Sequence, residues 1–163
     1  MMQPRRAVLV AAAFALLGRS AAAVQSEDSD DQSLLADADY TAGRAALKGG
    51  DAAVAVQRFT LALKRFPDAA DLHNELGFSH RKLAQMERAF FHYQRALALK
   101  PDHRGAHEYI GEAYLMVDDV AGAERHRAAL RALCVVPCDE LKDLDQAIAQ
   151  YEANKAKPAA RKP

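Results

Sequence analysis

The chain has no tryptophan, few prolines and glycines, and no Val/Ile-rich run that alternates with polar residues. The missing alternation excludes a half-buried β-strand as the building unit. Hydrophobic residues make up 50% of the 163 residues yet aromatics only 7%, because much of the apolar content is alanine. Such a chain buries many small side chains in close helix–helix contacts, and its length suits one compact domain. Also missing are a glycine-rich phosphate loop, a nucleophile elbow and an H-E-x-x-H pair; HEYIGE at His107 lacks the second histidine. No enzyme activity and no cofactor are expected. Basic and acidic residues stand at 22 each. Phosphate binding needs a clustered positive face, so nucleic acid is not an expected partner.

The N-terminus has the layout of an export signal. Arg5 and Arg6 form a positive start, Ala7 to Gly18 an apolar run, and Ala21-Ala22-Ala23 the small residues a signal peptidase needs. Residues 1–23 are expected to be a cleavable signal peptide, cut after Ala23, and the protein to be periplasmic or secreted. A twin-arginine route and an uncleaved anchor are the alternatives. The apolar run falls short of the roughly 20 residues a span requires, so no stable membrane span is expected after cleavage. Removing the leader's three arginines (Arg5, Arg6, Arg19) leaves 19 basic against 22 acidic residues, a net of −3. Residues 24–35, with Glu27, Asp28, Asp30 and Asp31, form an expected acidic linker. Residues 153–163, with Lys155, Lys157, Arg161 and Lys162, form an expected basic tail.

What the chain does have is a period. Gly43, Gly77 and Gly111 are 34 residues apart, as are Ala55, Ala89 and Ala123, then Ala62, Ala96 and Leu130, and Pro67 and Pro101. Small residues at fixed slots let paired helices approach closely. Gly49-Gly50 breaks one helix and Asp51 caps the next; Asp118-Asp119 does the same further on. Pro67 and Pro101 end helices because proline lacks the backbone donor, and Asp68 and Asp102 open the following turns. Helices are expected near 36–48, 51–65, 70–84, 87–99, 104–117 and 119–133. A seventh starts at Asp139-Glu140, where acids suit the helix dipole. Its Leu141, Leu144, Ile148 and Tyr151 share one face, the pattern of a cap over the open end of a stack.

This pattern resembles the tetratricopeptide repeat (TPR), written W-x2-L-G-x2-Y, then A-x3-F, then P. The middle copy reads His73, Leu76, Gly77, His80, then Ala89-x3-Tyr93 and Pro101. The first copy keeps Gly43, Ala55-x3-Phe59 and Pro67, but has Asp39 in the opening aromatic slot and Ala46 in the tyrosine slot. The third keeps His107, Ile110, Gly111, Tyr114 and Ala123, with Arg127 for its aromatic and Val135 for its proline. The resemblance implies an all-α, right-handed α-solenoid of three TPR helix pairs (36–69, 70–103, 104–137), followed by a capping helix at 138–152.

In such proteins the first helix of each pair lines a concave groove that binds a peptide. By register, the groove set here is Tyr40, Arg44, Asn74, Phe78, Arg81, Glu108, Tyr109 and Glu112. One TPR subclass grips a C-terminal carboxylate with a Lys/Asn/Arg clamp. This chain departs from it, with Tyr40, Arg44, Glu75, Gly105 and Tyr109 in the five clamp slots. The resemblance implies a protein-interaction scaffold whose partner is another exported protein or peptide. Two other readings stay open: metal binding or delivery through His103 and His107, which are four apart and could share a helix face, and self-association through the repeat ends. Against the metal reading, His73 and His107 occupy aromatic slots, His80 occupies the tyrosine slot, and His92 and His126 recur at one slot of the second helix. Cys134 and Cys138 are the only cysteines. In an oxidising compartment they are expected to form a disulfide, worth about 2 kcal/mol for so short a loop.

Overall fold

The computed structural model describes residues 32–156. The leader, most of the acidic linker and residues 157–163 of the tail lie outside the described residues. A helical turn at 32–36 precedes seven longer helices. These are α1 Ala38–Lys48, α2 Ala52–Leu63, α3 Ala70–Lys82, α4 Met86–Leu99, α5 Arg104–Met116, α6 Val120–Leu133 and α7 Asp139–Ala156. The described residues contain no strand. The protein is all-α, an α-solenoid of three helix pairs followed by α7.

Local chemistry sets most helix boundaries. Asp37 begins α1: its Oδ1 accepts from the Asp39 and Tyr40 N–H groups at 3.0 Å. The helix therefore starts two residues later than the periodicity suggests. Asp51 caps α2 through the Val54 N–H at 3.0 Å, and Asp119 caps α6 through the Gly122 N–H at 2.8 Å. Each cap is worth about 1 kcal/mol. Pro67 and Pro101 sit in the turns after α2 and α4. Inside each pair the chain reverses through one left-handed residue: Gly50 (φ 83°), Ala84 (φ 56°) and Asp118 (φ 62°), again 34 residues apart. The next N–H then bonds back across the turn at 2.9 Å, from Asp51 to Ala46 O, Gln85 to His80 O and Asp119 to Tyr114 O.

The repeated glycines explain how the pairs close. A Cβ on Gly43 would lie 2.5 Å from the Phe59 ring, and one on Gly77 2.6 Å from the Tyr93 ring. Each first helix thus receives the second helix's aromatic directly on its backbone. The third pair has no such aromatic, because Arg127 stands in that slot and pairs with Glu124 and Asp145. Here α7 supplies the missing side chain: Leu144, fully buried, comes within 2.8 Å of a Cβ on Gly111. The last helix therefore completes the third repeat as well as covering it. Ile148 and partly buried Leu141 and Tyr151 extend the same contact. The Tyr151 hydroxyl donates to Asp118 at 2.8 Å, and Lys155 pairs with Asp118 at 3.0 Å. Helix α7 runs on to Ala156, beyond the expected 152, into the segment expected to be tail.

The opposite end is closed by Leu34, which falls in the segment expected to be linker. It is 1% exposed and clusters with Tyr40, Phe59, Ala62 and Leu72. Successive first helices touch one another, α1 with α3 and α3 with α5. They form the inner layer of the stack, and α7 packs mainly against α5.

Candidate functional site

The inner layer carries a groove whose C-terminal end deepens into a cavity of about 580 Å³ between α3, α5 and α7. Arg81, Glu108 and Glu112 form one side of it, and Asp143, Gln146 and Tyr151 of α7 the other. Exposed Met116 lines it as well. The centre of the groove is a compact cluster. Phe78 and Tyr109 lie with ring centroids 5.0 Å apart. The Arg81 guanidinium sits 5.2 Å over Phe78 and 5.5 Å over Tyr109 and pairs with Glu112 at 2.5 Å. A cation placed on two ring faces and tied to a carboxylate is held in one orientation.

Acids outnumber bases around the cavity. Glu108 is pushed up to about 8, first by burial and then by Glu112, Asp143 and Glu140, with Arg81 offsetting only part. Burial likewise raises Glu75, although Arg44 pairs with it at 3.7 Å. Neither Glu108 nor Asp143 has an ion-pair partner among the described residues. The wall therefore favours groups that bring positive charge or hydrogen-bond donors.

Of the eight residues placed in the groove by register, Arg81, Glu108 and Glu112 line the cavity and Phe78 and Tyr109 pack against Arg81, while the contacts of Arg44 are with Tyr40 and Glu75. Two are turned inward. Tyr40 is 3% exposed and packs its ring 5.7 Å from Phe59, with Arg44 5.9 Å above it. Asn74 is 8% exposed and its buried Oδ1 has no hydrogen-bond partner. Slot position gives the approximate face, but the neighbouring helix decides whether a side chain at its edge is covered. Sequence reasoning missed the α7 wall. The only available signal was the polar remainder of that helix, which also suits plain solvent exposure.

The histidines are engaged with one another and with the backbone. His103 caps α5, accepting from the Ala106 N–H at 3.2 Å through Nδ1, while its Nε2 faces Asp71 Oδ1 at 2.9 Å. His107 instead meets His126 and the Pro101 carbonyl. The two rings thus point to different partners and do not converge on a shared ligand position. Cys134 and Cys138 stand at disulfide distance, with S–S 2.02 Å, at the junction between α6 and α7. No helix among the described residues is long and apolar enough to cross a membrane.

Residues 70–103, the α3–α4 pair, match the family model of the tetratricopeptide repeat. No curated protein matches the chain. Among solved structures it is similar to the TPR2B domain of yeast Sti1 in its complex with pHsp70. That likeness has 21% identity and a TM-score of 0.63 over 69% of this chain and 91% of that one. The Sgt2 TPR domain from Aspergillus fumigatus is similar at 23% identity and a TM-score of 0.62, over 76% of this chain and 84% of that one. The middle helix pair thus carries a tetratricopeptide-repeat sequence, and the stack has the fold of TPR domains.

Proposed function

We propose that the protein is an exported scaffold that holds a segment of another exported protein or peptide in the groove between α1, α3, α5 and α7. The observation that carries this reading is the cavity lined by Arg81, Glu108, Met116 and Asp143, with the Phe78–Tyr109 ring pair packed against Arg81 at its edge. An apolar side chain of the partner would rest on the ring pair and Met116, the kind of aromatic and arginine anchor that dominates binding energy. A lysine or arginine of the partner would face Glu108 and Asp143, where positive charge is undersupplied. The yeast Sti1 domain, similar in fold, is seen with pHsp70, which supports peptide binding as the use of this groove. A partner gripped by an acidic C-terminus is disfavoured, because Glu75 stands in a slot where a carboxylate clamp needs a donor.

Export rests on the Arg5-Arg6 start, the apolar run to Gly18 and the small residues to Ala23. In an oxidising compartment the Cys134–Cys138 pair would hold as a disulfide. The test is a pull-down from native periplasmic extract without chelator. The baits are residues 24–163 and a Phe78→Ala/Tyr109→Ala variant shown to fold by circular dichroism. The reading expects at least one protein recovered by the wild type and lost with the variant. Identical recovery by both baits would sink it.

A further inference from the structure

The cavity between α3, α5 and α7 has an excess of carboxylates and lies beside the point where the chain leaves its last helix. Glu108, Glu112 and Asp143 line it, against Arg81 as the one cation among its lining residues. Glu112 is taken up by Arg81. Glu108 and Asp143 are left without an ion-pair partner among the described residues. Helix α7 runs parallel to α5. Glu140 near its start meets Arg104, the first residue of α5, and Tyr151 and Lys155 near its end meet Asp118, just past the end of α5. Met116 at the end of α5 and Asn154 near the end of α7 both line the cavity. Asn154 is two residues before Ala156, where α7 stops.

The segment that follows reads Lys157-Pro158-Ala159-Ala160-Arg161-Lys162-Pro163 and carries three cations and no acid. Pro158 lacks a backbone donor and disfavours helical geometry at Lys157, which opposes any continuation of α7 along its axis. Helix rise puts Asp143 ~20 Å back from Ala156 along α7. An extended chain covers ~3.3 Å per residue, so one that doubles back brings Arg161 ~17 Å and Lys162 ~20 Å along the same path. The apolar stems of these two side chains can lie over Met116 and Ala147 of the cavity while their charged ends reach the carboxylates. The acidic run at the other end of the chain, Glu27 to Asp31, has the wrong sign for this site. It also joins the fold at Leu34, which packs on the first repeat, at the far end of the stack.

We propose that residues 157–163 dock back into the cavity of their own chain, with Arg161 or Lys162 on Asp143 and its neighbour Glu108, and occupy the groove until a partner displaces them. This rests on the groove reading and names the competitor for the same site. A segment tethered this close is presented at an effective concentration on the order of millimolar, so contacts too weak to hold a free peptide at micromolar concentration keep it docked. Lysine and arginine contacts to half-exposed carboxylates are weak and screened by salt, which suits an occupant that must give way. A displacing partner needs more than the charge. It must also offer an apolar side chain large enough to rest on the Phe78–Tyr109 pair, which Ala159 and Ala160 cannot do.

The test compares residues 24–163 with an Arg161→Glu/Lys162→Glu variant, which leaves every side chain of the helices unchanged. Met86 and Met116 are the only methionines beyond residue 23. Methyl-labelled methionine NMR therefore reads the cavity at Met116, with Met86 on α4 as the internal control. The Met116 methyl should resonate at different positions in the two proteins while Met86 coincides. The difference should vanish in about 1 M salt, where the screening length is ~3 Å. A free peptide of residues 157–163, added to the variant at millimolar concentration to match the tether, should move its Met116 signal to the wild-type position. Tail docking and partner capture are read separately: the pull-down can succeed while these signals coincide, and it can come up empty while they differ. Met116 signals that coincide at low salt, a free peptide that leaves the variant's signal unmoved, or a difference that fades on dilution and so reports the tail of a second copy, would each overturn the proposal.

Discussion

Replacing Leu144 with alanine tests how the third repeat is completed. Leu144 is fully buried and its methyls reach the backbone at Gly111, where Phe59 and Tyr93 serve Gly43 and Gly77. Leucine-to-alanine changes in a core cost about 2–5 kcal/mol, depending on how far the site collapses. Collapse is restricted here, because α7 is held at both ends by other contacts. Tyr151 and Lys155 bind Asp118, and Glu140 lies 3.7 Å from Arg104. The cavity should therefore persist, and a loss of about 3 kcal/mol is expected. For a folded unit of this size each kcal/mol is worth about 4 °C, so the melting temperature should fall by about 12 °C. Leu141→Ala, on the same face but only partly buried, is the control and should cost about 1 kcal/mol. Thermal unfolding by far-UV circular dichroism reads both, and hydrogen exchange should localise the loss to α5–α7. A Leu144→Ala shift below about 2 °C, or one equal to that of Leu141→Ala, would refute the claim that α7 supplies the missing core residue.

Other consequences can be checked the same way. Ala84 holds a left-handed turn where Gly50 does so at no steric cost. Ala84→Gly should stabilise by about 0.5–1 kcal/mol, and Gly50→Ala, which meets no atom within 4 Å, should cost about 1 kcal/mol through backbone strain alone. Glu108, raised to about 8 by burial and neighbouring acids, confers stability that is complete below its unfolded value and lost as pH rises through 8. Glu108→Gln should therefore raise the melting temperature at pH 9 and change it little at pH 4.5. After allowance for solvent screening the gain is about 1–2 kcal/mol. An equal effect at both pH values would contradict the assignment.

The 34-residue period made the three helix pairs legible because its slots report contacts that recur from pair to pair. Glycine marks where a ring lands, aspartate where a helix is capped, and Gly50, Ala84 and Asp118 where the chain reverses. The departures were less readable. Arg127 signalled a missing aromatic but gave no sign that Leu144 would replace it, since α7 has no counterpart elsewhere in the chain. Leu34 looked like part of a polar linker because one leucine carries no periodicity. Around the cavity, Phe78, Arg81, Glu108, Tyr109 and Glu112 followed from register. Tyr40 and Asn74 lie at the edge of the face, where packing against the neighbouring helix turns them inward. The histidines fitted aromatic slots by sequence, but their pairing nitrogen to nitrogen depends on ring orientation, which spacing does not fix.

Site-specific photo-crosslinking in living cells asks whether a partner occupies the groove. A photoreactive phenylalanine analogue is placed at Met116, which lines the cavity and is 55% exposed, or at Phe91, which is 63% exposed on α4. A groove-bound partner should give a discrete crosslink from position 116 that disappears with Phe78→Ala/Tyr109→Ala, and none from position 91. Crosslinks from position 91 alone, or from 116 unaffected by the double substitution, would contradict it.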